Sequence, residues 1–180
     1  MLKERLSFDA EGAAAKGSAI QGRFLESTLY REAQSLAAYS DFKGEVATGM
    51  ILDAVLKGDK LLVLPRVNLP GYTLSFLSVS STDSLEVGRD GFREPAEGSG
   101  ESKDVSEIDL FLLPGVAFDM AGNRLGMGKG CYDRALTAVA REKIVALAYE
   151  FQIVETVPSD RLDVPVGWIV TEERIIRCLP

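Results

Sequence analysis

Residues 124–134, Arg-Leu-Gly-Met-Gly-Lys-Gly-Cys-Tyr-Asp-Arg, hold the densest set of groups able to do chemistry in this 180-residue chain. Glycines at 126, 128 and 130 let backbone amides come close to a ligand. Arg124 stands just before them and Lys129 among them. Amides turned inward ahead of a helix form an anion site, and two cations reinforce it. The stretch is therefore read as a phosphate cradle at the start of a helix expected over Cys131–Arg141. A bland account stays open, a glycine-rich tight turn carrying two solvated cations. Two familiar phosphate motifs do not fit. The dinucleotide fingerprint needs G-x-G-x-x-G, whereas here the spacing is G-x-G-x-G. The P-loop needs a first glycine where Asn123 stands, and a Ser or Thr where Gly130 stands.

Composition narrows the chemistry further. The chain has no histidine, which removes Ser-His-Asp and Cys-His catalysis, histidine-ligated zinc and a histidine general base. Carboxylates, Lys, Arg, Tyr, backbone amides or a carboxylate-bound metal must do the work. A net charge of −7 argues against nucleic-acid binding, which needs a cationic field. Cys131 and Cys178 are too few and too far apart for a disulfide framework. No apolar run has the length of a membrane span, and Met1–Arg5 is too charged for a signal peptide. A cytoplasmic monomer is expected, with small molecules as its partners.

The elements that must position the glycine loop follow from apolar periodicity. An amphipathic helix is expected over Glu11–Leu29 and a second over Thr48–Lys57, stopped by Gly58. Apolar runs predict strands at Ser35–Ser40, Lys60–Val67, Tyr72–Val79, Asp109–Pro114 and Lys143–Tyr149, with Trp168–Thr171 the last. Gly88–Ser106 reads as a loop. Strands alternating with helices imply one domain over residues 1–180, an α/β, three-layer α/β/α, Rossmann-like fold with a mostly parallel sheet. Ligands in such sheets bind beyond the carboxyl ends of the strands, which points to the loops after Ser40, Pro114 and Tyr149.

The stretch PGVAFDMAGNRLGMGKGCYDR (114–134) resembles the signature of the 5-formyltetrahydrofolate cyclo-ligase family. Every fixed position matches except Cys131, where an aromatic is usual. Further similarity runs through FKGEVAT around Glu45, GRDGFREP (88–95), ALAYEFQ (146–152) and LDVPVGWIVTE (162–172). The resemblance implies ATP-dependent cyclisation of 5-formyltetrahydrofolate to 5,10-methenyltetrahydrofolate, a ligase reaction of one-carbon metabolism. It implies ATP and Mg²⁺ as cofactors. The nucleotide would lie along Arg124, Leu125, Gly126, Met127, Gly128, Lys129, Gly130, Cys131 and Tyr132. Arg124 and Lys129 would contact phosphates and, with Asp133, carry catalysis, while Asp133 and Asp163 would face the metal. Glu45 would hold the pterin, with Phe118 and Met127 lining its pocket.

The family mechanism is phosphoryl activation of the formyl oxygen, followed by attack of the folate's own N10. Such a reaction needs positioning and charge neutralisation, which suits a site without histidine. Blander roles stay open at two residues: Asp133 as a first-turn acid on its helix, Asp163 as a turn residue before Val164-Pro165. Cys131 is either a reactive thiol or a small packing residue.

Four features depart from the family pattern. Cys131 is one, Leu162 stands where a His is frequent, and Gly167 where an Asp is common. The family's first helix carries K-x-x-[LM]-R, whereas Leu2–Ser7 aligns downstream of that motif and Lys3 and Arg5 have the wrong spacing. A degenerate member that binds folate or nucleotide without efficient turnover is the alternative this suggests. A different phosphoryl-transfer activity with the same cradle is another.

Overall fold

Strands that are apolar on both faces need cover on both sides, and alternation of their side chains divides the interior into two cores. The computed structural model describes residues 10–179. It opens with helices α1 (Ala10–Glu26) and α2 (Thr28–Glu32), then β1 (Ser35–Ala37), α3 (Gly49–Lys57), β2 (Leu61–Asn68) and β3 (Thr73–Ser78). A separate hairpin follows, β4 (Leu85–Val87) with β5 (Arg93–Pro95), and then β6 (Ser102–Lys103) and β7 (Leu110–Leu113). A second hairpin, β8 (Ala117–Phe118) and β9 (Arg124–Leu125), leads into helix α4 (Cys131–Ala135). Strands β10 (Ile144–Leu147), β11 (Trp168–Val170) and β12 (Ile175–Arg177) complete the order.

Eight strands form one sheet in the order β12-β11-β10-β7-β1-β2-β3-β6. Its five central strands, β11, β10, β7, β1 and β2, pair in parallel. Antiparallel strands extend it at both edges. Leu36, Leu62, Leu64, Leu110, Leu112 and Val145 point to one side, where Ile20 and Phe24 of α1 and Ile51 and Val55 of α3 cover them. Their neighbours Ala37, Val63, Phe111, Leu113 and Ile144 point to the other, against Phe118 and Leu136. The mostly parallel α/β sheet read from the sequence is present. Its second face, however, is covered by the short α4, the β8–β9 hairpin and 3₁₀ turns rather than by long helices.

Several boundaries differ from expectation. The first helix breaks at Ser27, whose hydroxyl donates to Phe24 O at 2.6 Å and accepts Tyr30 N at 3.2 Å, which restarts the helix as α2. The strand expected over Ser35–Ser40 pairs only through Ala37, because the chain then turns into the loop that ends at Thr48. The expected Cys131–Arg141 helix stops at Ala135. Leu136 is fully buried and draws the chain inward, and the Thr137 hydroxyl takes the carbonyls of Asp133 and Arg134. Beyond it, Arg141 is committed to the carbonyls of Ala121 and Val166. The Gly88–Ser106 loop contains β5 and β6, and β12 follows the strand expected to be last.

The chain after β1 goes to β2 on one side of it, while β7 lies on the other and leads outward to β10 and β11. Their carboxyl ends therefore part between β1 and β7, the place where open α/β sheets leave a crevice.

One buried carboxylate ties the β8–β9 hairpin over that crevice. Asp119, 3 % exposed, accepts four hydrogen bonds. Ala121 N and Asn123 N reach Oδ1 at 3.0 Å, and Asn123 Nδ2 and Val157 N reach Oδ2 at 2.9 Å. Burial alone pushes its pKa up, but these bonds outweigh it and hold the carboxyl below its usual range. The folded pKa thus lies below the unfolded one, near 3.9. The resulting stability is present above about pH 4 and is lost as pH falls through the folded value. Asp119→Asn is expected to cost about 2–4 kcal/mol at pH 7. Urea denaturation of both proteins from pH 7 to pH 3 should also show a weaker acid dependence in the variant. An equal acid slope in the two would remove Asp119 from this role.

Candidate active site

The loop after β1 is built around a small buried network. Tyr39 donates its hydroxyl to Val46 O at 2.8 Å, and Thr48 Oγ1 donates to Tyr39 O at 2.8 Å. The Asp41 carboxylate accepts Thr48 N at 3.1 Å. Between these anchors the chain reverses through Lys43 and Gly44, both in the left-handed region with φ of 46° and 75°. The reversal brings Glu45 back so that its Oε2 accepts Phe42 N at 3.0 Å. Gln21 of α1 fastens the far end of the loop by accepting Met50 N at 2.9 Å.

Across the crevice, β8 and β9 pair through Phe118–Arg124 and Ala117–Leu125, and Val154 N donates to Phe118 O at 2.8 Å. The glycine run then turns towards α4. Gly128 and Gly130 have φ of 82° and 60°, values that side chains rarely adopt. At Gly126 a Cβ would sit 2.8 Å from an Arg124 guanidinium nitrogen, so a side chain there would displace the guanidinium.

These two walls enclose a cavity of about 490 Å³ at the sheet's parting point. The loop after β1 contributes Tyr39, Phe42 and Glu45 to its lining, and the glycine run with the start of α4 contributes residues 124–133. Pro114, Gly115 and Val116 form the floor where β7 ends.

The arginine and lysine of the loop are both held by carboxylates. Arg124, whose side chain is 6 % exposed, donates from Nη2 to Asp133 Oδ1 at 3.0 Å and lies 5.7 Å from the Tyr132 ring centre. Its Nε is buried without a hydrogen-bond partner among the described residues. Lys129 Nζ lies 2.6 Å from Asp90 Oδ1, which raises its pKa, and 4.3 Å from the Tyr72 ring centre. Burial raises the pKa of Tyr132 strongly, with the Glu45 charge adding to it, so the phenol stays a donor. Burial also raises the Cys131 thiol, which makes it a poor nucleophile and favours the packing role.

Nearly all the residues singled out from the sequence meet at this cavity. Glu45, Arg124 to Asp133, and Asp163 all line it, Met127 at its exposed rim. Phe118 does not. Its ring is fully buried beneath the floor, where a Cβ on Gly115 would fall 2.4 Å from it. Phe118 therefore supports the floor from below instead of lining the pocket. The α4 helix, only five residues long, has a weak dipole, so any anion site rests on the loop amides and the two cations. Lys3 and Arg5 lie outside the described residues.

Asp133 and Asp163 are the two carboxylates that the resemblance assigns to a divalent cation. No group of three or more acidic or thiol side chains able to hold a metal occurs among the described residues. Asp133 Oδ1 already takes Arg124 and, at 3.3 Å, Val164 N, while Asp163 Oδ2 accepts Asp160 N at 2.8 Å. Two carboxylates opening on one cavity fit an ion that keeps most of its oxygens from a ligand, as Mg²⁺ does, and not a protein-only cage. Sequence reasoning missed Asp90 and Tyr72. Asp90 lies within the GRDGFREP similarity, but only the folded hairpin brings it to Lys129.

Comparison with known proteins agrees with this geometry. The 5-formyltetrahydrofolate cyclo-ligase family model matches residues 1–172. A 5-formyltetrahydrofolate cyclo-ligase of Haemophilus influenzae is 34 % identical over 139 residues, 76 % of this chain and 74 % of that protein. The enzyme of the same name from Mus musculus is 27 % identical and spans 96 % of this chain and 90 % of its own length. Among solved structures, the Aquifex aeolicus 5,10-methenyltetrahydrofolate synthetase superposes with a TM-score of 0.86 at 35 % identity. That match covers 99 % of this chain and 89 % of the Aquifex chain. No helix among the described residues is long and apolar enough to cross a membrane. The chain belongs to the 5-formyltetrahydrofolate cyclo-ligase family.

Proposed function

We propose that the protein uses ATP to cyclise 5-formyltetrahydrofolate to 5,10-methenyltetrahydrofolate, releasing ADP and phosphate. The observation that carries this is a single cavity lined by two elements of opposite character. The loop after β1 offers a carboxylate among aromatic rings, Glu45 with Tyr39 and Phe42; the glycine-rich turn offers Arg124 and Lys129. A pterin presents adjacent N–H donors that a carboxylate accepts in pairs, and a triphosphate needs cations and amides. The two substrates can therefore lie end to end with their reacting atoms between.

In the reaction the folate's formyl oxygen attacks the γ-phosphorus and ADP departs. N10 then attacks the activated carbon and loses its proton, and the C–O bond breaks to release phosphate. Lys129 and Arg124 neutralise the charge of the transferring group, and Asp133 holds the guanidinium in place. Leu125, Gly126, Met127, Gly128, Gly130, Cys131 and Tyr132 form the wall against which the nucleotide lies. Met127 also reaches toward the folate. Mg²⁺, held by phosphate oxygens with Asp133 and Asp163, would supply further charge neutralisation at the phosphates. We propose that it works as a monomer. Its two substrates are metabolites of the cytoplasm, where we place it.

The reaction is tested by following the near-ultraviolet absorbance of the methenyl product. A rise that requires both MgATP and 5-formyltetrahydrofolate is expected. Binding of both ligands with no rise at high protein concentration would replace the enzyme by a folate or nucleotide sensor. Two variants then separate the two elements by equilibrium titration. Lys129→Ala should weaken ATP about ten- to a hundredfold and leave folate nearly unchanged. Glu45→Gln should raise the folate dissociation constant about tenfold and spare ATP. Equal losses for both ligands in either variant would contradict the division of the cavity.

A further inference from the structure

The β4–β5 hairpin is firmly rooted at its base and makes two contacts at its tip. At the base, Glu94 is 5 % exposed and accepts Val67 N at 3.1 Å, with Arg66 3.6 Å away. Gly88 packs directly on that carboxylate, where a Cβ would lie 2.7 Å from it. At the tip, residues 88–92 close on themselves through Gly88 N to Phe92 O at 2.9 Å and Gly91 N to Gly88 O at 3.0 Å. From this turn Asp90 reaches Lys129 at 2.6 Å, and Phe92 packs edge-on against Phe42 with ring centres 6.2 Å apart. Phe42 belongs to the loop that presents Glu45. One turn thus touches both the glycine run and the loop after β1.

We propose that Asp90 is a built-in competitor for the nucleotide's phosphates: its carboxylate stands in for a phosphate oxygen on Lys129 and is displaced when the triphosphate binds. This rests on the assignment of Lys129 as a phosphate contact. A carboxylate 2.6 Å from the ammonium fills the side of Lys129 that a phosphate would approach, and two anions cannot share that position without repulsion. The Tyr72 ring, 4.3 Å from the ammonium, also orients Lys129.

The pair is also weak enough to be replaced. Its side chains are 42 % and 30 % exposed, and exposed ion pairs contribute little. A triphosphate, with several charges and a second contact at Arg124, displaces Asp90.

Titration calorimetry of the full chain at fixed ionic strength tests this, with ATP as ligand. Asp90→Asn, which keeps the shape and removes the charge, should tighten ATP about two- to fivefold; Asp90→Ala should do the same. In a Lys129→Ala background, Asp90→Asn should then change nothing, because the competition is gone. Unchanged or weaker ATP binding in both folded Asp90 variants overturns the proposal. So does equal tightening without Lys129, which would mean a general charge effect. If Lys129→Ala alone leaves ATP affinity intact, the assignment of Lys129 has failed instead, and the competitor falls with it.

Discussion

The buried carboxylate of Asp119 is the joint on which the cavity depends. Its four hydrogen bonds close the β8–β9 hairpin on itself and fasten it to Val157 in a distant part of the chain. The hairpin delivers Arg124, and the segment after Val157 delivers Pro158 and Asp163 to the same space. Gly122, at φ 88°, lets the turn lie flat against Val166, where a Cβ would fall 2.2 Å from the carbonyl oxygen. A buried charge fully supplied with donors is a rigid support, and its failure would leave several amides unpaired at once.

Charge management explains much of the rest. The chain is acidic overall, with a net charge of −7, and has no histidine. Phosphate chemistry in such a chain needs its positive charge concentrated, and the two loop cations are kept in pairs: Arg124 with Asp133, Lys129 with Asp90. The pairs differ in kind. Arg124 is almost wholly enclosed, so its carboxylate fixes the guanidinium and offsets the cost of burying it. Lys129 is substantially exposed, and its partner is exchangeable. One cation is thus a fixture and the other is available to a ligand.

Much of this was legible in the residues, and the gaps have physical causes. The parallel core was readable because β7 and β10 are apolar on both faces, Leu110–Leu113 and Ile144–Leu147, which few other structures permit. The glycine run marked a backbone that side chains would not follow, and Gly128 and Gly130 do take left-handed φ of 82° and 60°. The end of α4 was not legible. Thr137 and the buried Leu136 act through contacts that helical periodicity does not encode. Phe118 was misplaced for a related reason: an aromatic next to a site motif can face the ligand or the core, and here the floor glycine puts it in the core. Asp90 was hidden because it lies 39 positions from Lys129, on a hairpin that only the fold brings to the glycine run.

Central to this account is a cavity with separate ends, phosphates at the glycine loop and folate at the loop after β1. Backbone amide chemical shifts, followed while ATP alone is added to the folate-free protein, examine that most directly. The account predicts that the largest changes fall on residues 124–132 and on the 88–92 turn, with Glu45 and Val46 moving less. Changes concentrated on residues 39–46, with the glycine run silent, would contradict it.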